Sequence, residues 1–265
     1  MTRLFIRYII ILTVTTIIVC AVGGCAGGPK AESGWIPLLH RDNLNGWYTF
    51  IPGHGRNEDP NHIFAINNGV LHIYGEAADG SNMPFAYIAT QEQYSDYRLR
   101  LQFKWGTKRF APRAAALRDS GLLYHFVGPD IVWPTSVECQ IMETDSGSIY
   151  AVGTTVTTTI DPNTGTFMES ADGGLTRTLG GVGVTRVKMS RDYETEGWNT
   201  VEVIIRGDSA VHIINGRVNN RCTNISRPDT EDKSRLIPLA EGKILLQAEG
   251  AEIFYRNVEI KPLVP

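Results

Sequence analysis

Across residues 97–105 the chain alternates without a break. Tyr97, Leu99, Leu101, Phe103 and Trp105 interleave with Arg98, Arg100, Gln102 and Lys104. Side chains along a β-strand point to opposite faces with period two. This stretch therefore buries an apolar face only as a strand, with its basic face turned outward. The same signal recurs in shorter pieces. Residues 63–66 and 70–74 flank Asn67-Asn68-Gly69, and Asn-Gly is the strongest local hairpin signal. Residues 87–90 and 154–160 read as further strands, the second closed by the turn Asp161-Pro162-Asn163-Thr164-Gly165. Residues 198–206 and 210–218 read as a hairpin about Gly207-Asp208-Ser209, and residues 242–250 and 251–260 close the chain. Helical periodicity is hard to find. Strands this short, with turn signals roughly every ten residues, predict an all-β sandwich or barrel. No linker or internal repeat divides the 265 residues, so one such domain is expected.

The first residues follow another pattern. Arg3 and Arg7 precede an apolar run from Tyr8 to Val19, which ends at Val22-Gly23-Gly24-Cys25. This reads as a secretory signal peptide over residues 1–24, and its end resembles a bacterial lipobox. Cys25 is then the lipidation site, residues 25–33 a short tether and residues 34–265 the domain. The expected location is the cell envelope, with the bacterial membrane as a partner through the lipid anchor. Ala26, rather than Asp, after the cysteine favours the outer membrane if the cell has one; the periplasm and the cell surface are the other envelope locations expected. An ordinary cleaved signal peptide and an uncleaved anchor are the alternatives. No second stretch approaches the ~20 apolar residues needed to span a bilayer.

The formal net charge is −3 and no basic patch stands out, which argues against nucleic acid as a partner. Cys139 and Cys222 remain once Cys20 and Cys25 are assigned to the leader and the lipid. They either pair in an oxidising compartment, or Cys139 is a buried free thiol on the apolar face of its strand. No CxxC or His/Cys cluster suggests zinc. No cofactor is required. A structural or catalytic divalent metal is open, because the acidic loops around Asp145 and Asp172 offer oxygen ligands.

The stretch from Asp119 to Glu143 carries the chemistry. It reads as two strands, residues 121–127 and 136–143, joined by a loop. On the second strand Val137, Cys139 and Ile141 point one way, and Glu138 and Gln140 the other. A carboxylate and a carboxamide side by side in so apolar a segment suggest a face lining a polar cleft; a solvated outer sheet face is the alternative. Before the first strand, Lys108, Arg109, Arg113 and Arg118 flank Ala114-Ala115-Ala116-Leu117, read as a loop beside that cleft.

Several phrases, in order along the chain, resemble one family. They are Leu44-Asn45-Gly46-Trp47, Tyr97-Arg98-Leu99, Asp119-Ser120-Gly121-Leu122, Glu138-Cys139-Gln140-Ile141, Trp198-Asn199, Asn215-Gly216, Gly242-Lys243-Ile244-Leu245-Leu246-Gln247 and Phe254-Tyr255-Arg256-Asn257-Val258. Together they are similar to the 3-keto-disaccharide hydrolase domain family, formerly a domain of unknown function. The resemblance implies a concanavalin-A-like jelly-roll β-sandwich of two antiparallel sheets, one of which holds a carbohydrate substrate. The chain departs from the family at three places. His125 or Phe126 stands where the family has Arg. Glu143 stands where it has Asp. The segment from Val127 to Thr135, with Trp133, is absent from short members.

A 3-keto sugar acidifies the hydrogen on C2. A base removes it, an enolate forms, the C1 substituent leaves, and water can add back to give net hydrolysis. Such a site needs a base, an acid for the leaving oxygen, and a group to stabilise the enolate. On this view Glu138 is the candidate base and Gln140 orients sugar hydroxyls. His125 is acid, enolate stabiliser or metal ligand, against the plain reading of a hydrogen-bonded strand histidine. Arg118 or Lys104 holds the keto oxygen, against a solvated role, and Trp133 and Tyr124 stack on a sugar face, against the plain reading that Trp133, beside Pro134, caps the sandwich. A rival reading takes Glu138-Cys139-Gln140-Ile141-Met142-Glu143 as similar to the E-x-D-x-x-E strand of laminarinase-like retaining glycosidases. Glu138 is then nucleophile and Glu143 acid, about 5–5.5 Å apart, although Gln140 replaces the central Asp. A third reading is a non-catalytic surface lectin, since the fold serves both.

Overall fold

The computed structural model describes residues 34–264. The signal peptide, the tether and Cys25 lie outside the described residues. In chain order the strands are β1 (Ile36–Pro37), β2 (Trp47–Ile51), β3 (Gly55–Arg56), β4 (Phe64–Asn67), β5 (Val70–Ile73), β6 (Ala86–Thr90), β7 (Tyr97–Arg109), β8 (Asp119–Phe126), β9 (Ser136–Met142) and β10 (Ile149–Val152). They continue with β11 (Thr155–Ile160), β12 (Leu175–Gly180), β13 (Val184–Val187), β14 (Asn199–Arg206), β15 (Ser209–Ile214), β16 (Arg217–Pro228), β17 (Leu236–Pro238), β18 (Lys243–Ala248) and β19 (Ala251–Pro262).

Two antiparallel sheets result. The larger runs β12-β11-β16-β15-β14-β7-β19-β5-β4, with β1 on β19 and β17 on β16. The smaller runs β13-β10-β9-β8-β18-β6-β2-β3. Their inner faces meet in one core. Tyr97, Leu99, Leu101 and Phe103 of β7 are buried there with Val201, Val203, Ile253 and Tyr255 from the same sheet, against Leu122, Tyr124, Val137, Cys139, Ile141, Ile244 and Leu246 from the other. Each such side chain contributes about 1.5–3 kcal/mol by burial, which selects the register that keeps it inside. The architecture is an all-β jelly-roll sandwich.

Three local readings change. β7 continues to Arg109, so Lys108 and Arg109 belong to the strand; the loop starts at Phe110. Glu252 on the neighbouring β19 accepts from the Thr107 and Lys108 amides and extends the pairing. The expected strand 210–218 breaks at Asn215 and Gly216, whose φ angles of 48° and 75° form a hairpin turn, and Arg217 begins β16. The Thr/Gly-rich section 145–196 contributes four strands, β10 to β13. Cys139 and Cys222 are both free and buried.

A bulge in β8 matters most for the site. Leu123 pairs with Leu245 and Phe126 with Lys243, so Tyr124 and His125 stand against Ile244 alone. His125 takes a φ of 55°. The extra residue turns Phe126 to the outer face beside Leu123, whereas unbroken alternation would bury it between the sheets.

Candidate functional site

The outer face of the smaller sheet is divided. Toward β2 and β6 it is aromatic. Toward β9 and β10 it is polar, and that half is built by β8, β9, β10 and β18. Register places Tyr150 beside Glu138, Glu138 beside Leu123, Gln140 beside Gly121, and Leu245 beside Leu123. Gln247, two residues on from Leu245, shares their face. Glu138 and Gln140 thus sit on an outer sheet face, as one reading of the strand allowed. That face is not solvated: Glu138 is only 4% exposed, and Gln140 and Gln247 are buried with it.

Gly121 makes room for the carboxyl. A Cβ at this position would fall 2.1 Å from Glu138 Oε1 and 2.3 Å from Gln247 Oε1. No Cβ tolerates such contacts, so only glycine lets both side chains lean over β8. Both oxygens are buried without a hydrogen-bond partner. A buried polar atom without a partner is costly. Protonation of Glu138 would supply the missing donor. Burial pushes the Glu138 pKa well above its usual range, and the charges of Glu249, Asp119 and Asp145 add to the effect.

These neighbours complete the polar half. Asp119 lies on β8 two residues before Gly121, on the same face. Arg113 forms a short ion pair with Asp119 and stands 3.6 Å from Glu249. Burial pushes both Asp119 and Glu249 up; the charge of Asp145 adds to the effect on Asp119 and that of Asp119 to the effect on Glu249, with Arg113 pulling both the other way. Asp145 pairs with Arg186 and accepts from Ser148 Oγ at 2.6 Å and Tyr150 Oη at 3.2 Å. Gln140 Oε1 accepts from the Ile141 amide at 2.9 Å. Carboxyls pushed toward the protonated form by burial, beside an arginine-paired one, are the elements of general acid–base chemistry.

The other expected site residues are dispersed. Arg118, Lys104 and Glu143 line a separate cavity of about 680 Å³ with Trp105 and Glu194. Glu143 accepts from the Arg118 amide at 2.7 Å and Arg118 Nε at 2.8 Å, and pairs with Arg109 at 3.1 Å. Burial works to raise its pKa, but these hydrogen bonds and charges outweigh it and hold Glu143 low. Lys104 is on the outer face of the larger sheet, its Nζ 5.3 Å from the Trp198 ring centroid and 5.0 Å from that of Phe254. Tyr124 is fully buried between the sheets and meets His212 Nε2 at 3.0 Å. It pairs with Val137 on the core face, so the expected stacking on sugar is replaced by a core role. His125 is buried at the bulge, 3.2 Å from the Gly207 carbonyl. Burial lowers its pKa to about 4, so it is neutral at pH 7. Among the described residues no group of three or more His, Cys, Asp or Glu is arranged to hold a metal ion. Trp133 lies on the aromatic half of the outer face.

Sequence reasoning missed Gln247, Asp119 and Glu249 as site residues; it placed Arg113 in a loop beside the cleft and Asp145 in an acidic loop, without giving either a part in the chemistry. Asp119 and Gly121 stood inside the motif already singled out. Period-two counting from Glu138 across an assumed β8–β9 pairing would have put Gly121 beneath the carboxyl. Nothing local marks Glu249.

The family model described as "3-keto-alpha-glucoside-1,2-lyase-like domain" matches residues 34–261. A search of curated proteins finds no match. Among solved structures, the fold is similar to a candidate glycosyl hydrolase of Parabacteroides distasonis at 19% identity, covering 87% of this chain and 94% of that one with a TM-score of 0.52. A second candidate glycosyl hydrolase of that organism matches at 20% identity, covering 86% and 99%, with a TM-score of 0.50. These likenesses concern the fold.

Proposed function

The chain belongs to the 3-keto-alpha-glucoside-1,2-lyase-like domain family, and on that premise we propose that this carbohydrate-active protein cleaves 3-keto-glycosides by abstracting the proton on C2. The observation that carries the reading is the Glu138 carboxyl, buried over Gly121 with an unpartnered Oε1. Raised proton affinity makes Glu138 a stronger base once ionised, at the cost of the fraction ionised. Glu138 takes the C2 proton. The electron pair of that C–H bond passes into the C3 carbonyl as an enolate, then returns to form C1=C2 as the C1–O bond breaks. Asp119 or Glu249, both shifted toward the protonated form, supplies the proton for the leaving oxygen. Arg113 is the cation beside these carboxyls and takes the part first given to Arg118 or Lys104. Gln140 and Gln247 offer amide groups to the sugar hydroxyls. Addition of water to C1 completes hydrolysis; without it the product is the elimination product.

The test is product analysis with a 3-keto glucoside and its unoxidised parent, wild type beside Glu138→Gln. Cleavage of the keto substrate alone, abolished by the substitution, supports the reading. Cleavage of the parent returns the retaining-glycosidase mechanism. Binding without turnover of either makes the protein a lectin. Lipidation of Cys25 and an envelope location belong to the same proposal, and the mass of the mature N-terminal peptide tests them.

A further inference from the structure

The segment between β8 and β9 crosses the sheet that carries Glu138. It leaves and rejoins at adjacent strands, with the Val127 amide donating to the Thr135 carbonyl at 3.0 Å. Its middle is fastened near the far edge. Asp130 accepts from Tyr48 Oη of β2 at 2.8 Å, from Tyr87 Oη of β6 at 2.7 Å and from Arg56 Nε of β3 at 2.5 Å. Beneath it Leu123, Phe126, Tyr87, Ala89 and Leu245 are buried. Trp133 is only half buried. Its ring lies nearly parallel to that of Phe85, with centroids 6.1 Å apart and an interplanar angle of 21°. Phe85, also half buried, continues into a recess of about 460 Å³ with Asn61, Asn82, Met83, Pro84 and Pro112.

The register relates this pair to Glu138. Trp133 packs on Tyr87 at 6.4 Å, and Tyr87 pairs with Gln247. The Glu138 carboxyl leans over Gly121 of β8, and β18 separates β8 from β6. Neighbouring strands lie about 4.8 Å apart, so roughly 10 Å separates the carboxyl from the Tyr87 backbone. A sugar ring seated at the carboxyl would fill that interval, and the next ring along the glycoside would reach the aromatic pair.

We propose that Trp133 and Phe85 form the leaving-group subsite. They receive the ring attached to C1 through its flat apolar face, and Asn61 and Asn82 meet polar substituents at its far end. The subsite rests on the reading of Glu138 as the reacting carboxyl. Aromatic platforms favour rings with a flat C–H or π face. A pyranose and an aryl aglycone both offer one, and a methyl aglycone offers none.

The experiment compares methyl, phenyl and glucosyl aglycones. Calorimetry measures binding of the unoxidised glycosides to the full-length Glu138→Gln protein. Turnover of the matching 3-keto substrates is measured on otherwise wild-type protein. Each readout is repeated with Trp133→Ala, Trp133→Phe and Phe85→Leu. A ring aglycone is expected to be favoured over methyl by about tenfold. Trp133→Ala and Phe85→Leu should erase that preference, Trp133→Phe should keep most of it, and all three should leave the methyl glycoside within about threefold. Preference for glucosyl identifies a sugar ring, and preference for phenyl an aromatic aglycone. If Trp133→Ala fails to fold, Phe85→Leu, which keeps apolar volume and removes the plane, carries the same comparison. Absence of a ring preference, or an equal loss for all three glycosides, overturns the subsite. Turnover without ring preference defeats the subsite alone. Ring preference in binding with no turnover of any substrate defeats the proposed reaction, and with it the leaving-group role, and leaves Trp133 and Phe85 as a ring-binding platform only.

Discussion

Gly121→Ala tests the core of the site with one methyl group. The new Cβ would sit 2.1 Å from Glu138 Oε1, 2.3 Å from Gln247 Oε1 and 2.9 Å from Glu138 Cδ. To reach a tolerable contact the carboxyl must retreat by about 1 Å, a displacement that costs about 100-fold in rate when it misplaces a reacting group. Two opposing terms act on stability. Overpacking costs ~1–3 kcal/mol. Alanine restricts the unfolded chain and returns ~0.4–1 kcal/mol, with no strain because Gly121 is not among the residues with positive φ. The net expectation is a loss of about 1–2 kcal/mol. Urea unfolding measures it, and the cycle with Glu138→Ala assigns it. Removing the carboxyl should relieve most of the clash, so the coupling should exceed ~1 kcal/mol, against ~0.3–0.5 for independent sites. Turnover of a 3-keto glucoside gives the second readout. Coupling below ~0.5 kcal/mol together with activity within threefold of wild type would refute the placement of Glu138 over Gly121.

Other expectations follow from the same geometry. Glu138, Asp119 and Glu249 all bind protons more tightly in the fold than in the unfolded chain. Their contribution is therefore fully present below the ordinary carboxylate range near pH 4 and is lost as pH rises toward and past neutrality. Thermal midpoints of wild type should fall over that window, and Glu138→Gln and Glu249→Gln should each flatten the fall; a wild-type midpoint that rises there contradicts the burial argument. Glu143→Gln weakens the site of two arginine contacts and should cost about 1–3 kcal/mol in chemical denaturation, with a smaller loss of turnover than Glu138→Gln. Loss of turnover equal to that of Glu138→Gln would restore the paired-carboxylate mechanism. Cys139 and Cys222 are buried, and burial raises both thiols, Cys222 to about 12. A thiol reagent should leave both unlabelled in the native protein and label them on unfolding; prompt native labelling would contradict their burial.

Much of this molecule is legible from residue order, because strand alternation and Asn-Gly turns are local properties. Tyr97 to Phe103 could bury their rings in only one conformation, and Asn68-Gly69 turns where its dihedral preferences require. The same period-two logic put Glu138 and Gln140 together on one face, opposite Cys139. Local logic failed where one residue changed the count or where partners were distant in sequence. The bulge at His125 depends on β18 matching one residue against two, so Phe126 emerges on the outer face and His125 turns inward. Tyr124 was one step out of register with the site, which in a strand means the opposite face. Arg118 and Glu143 found each other across the β8–β9 pair, away from Glu138. The sequence alone determined the strands beside its clear turns, such as β4, β5, β7 and β14, their inward faces and the polar pair on β9, whereas β10, β12 and β13 came only with the fold. Only the tertiary structure decided that Gly121 and Gln247 lie beneath and beside that carboxyl, that burial, with Glu249 and Asp119 nearby, raises its proton affinity, and that Asp130 ties Trp133 across the sheet. These depend on which strands become neighbours, and burial and charge act through space between residues far apart in the chain.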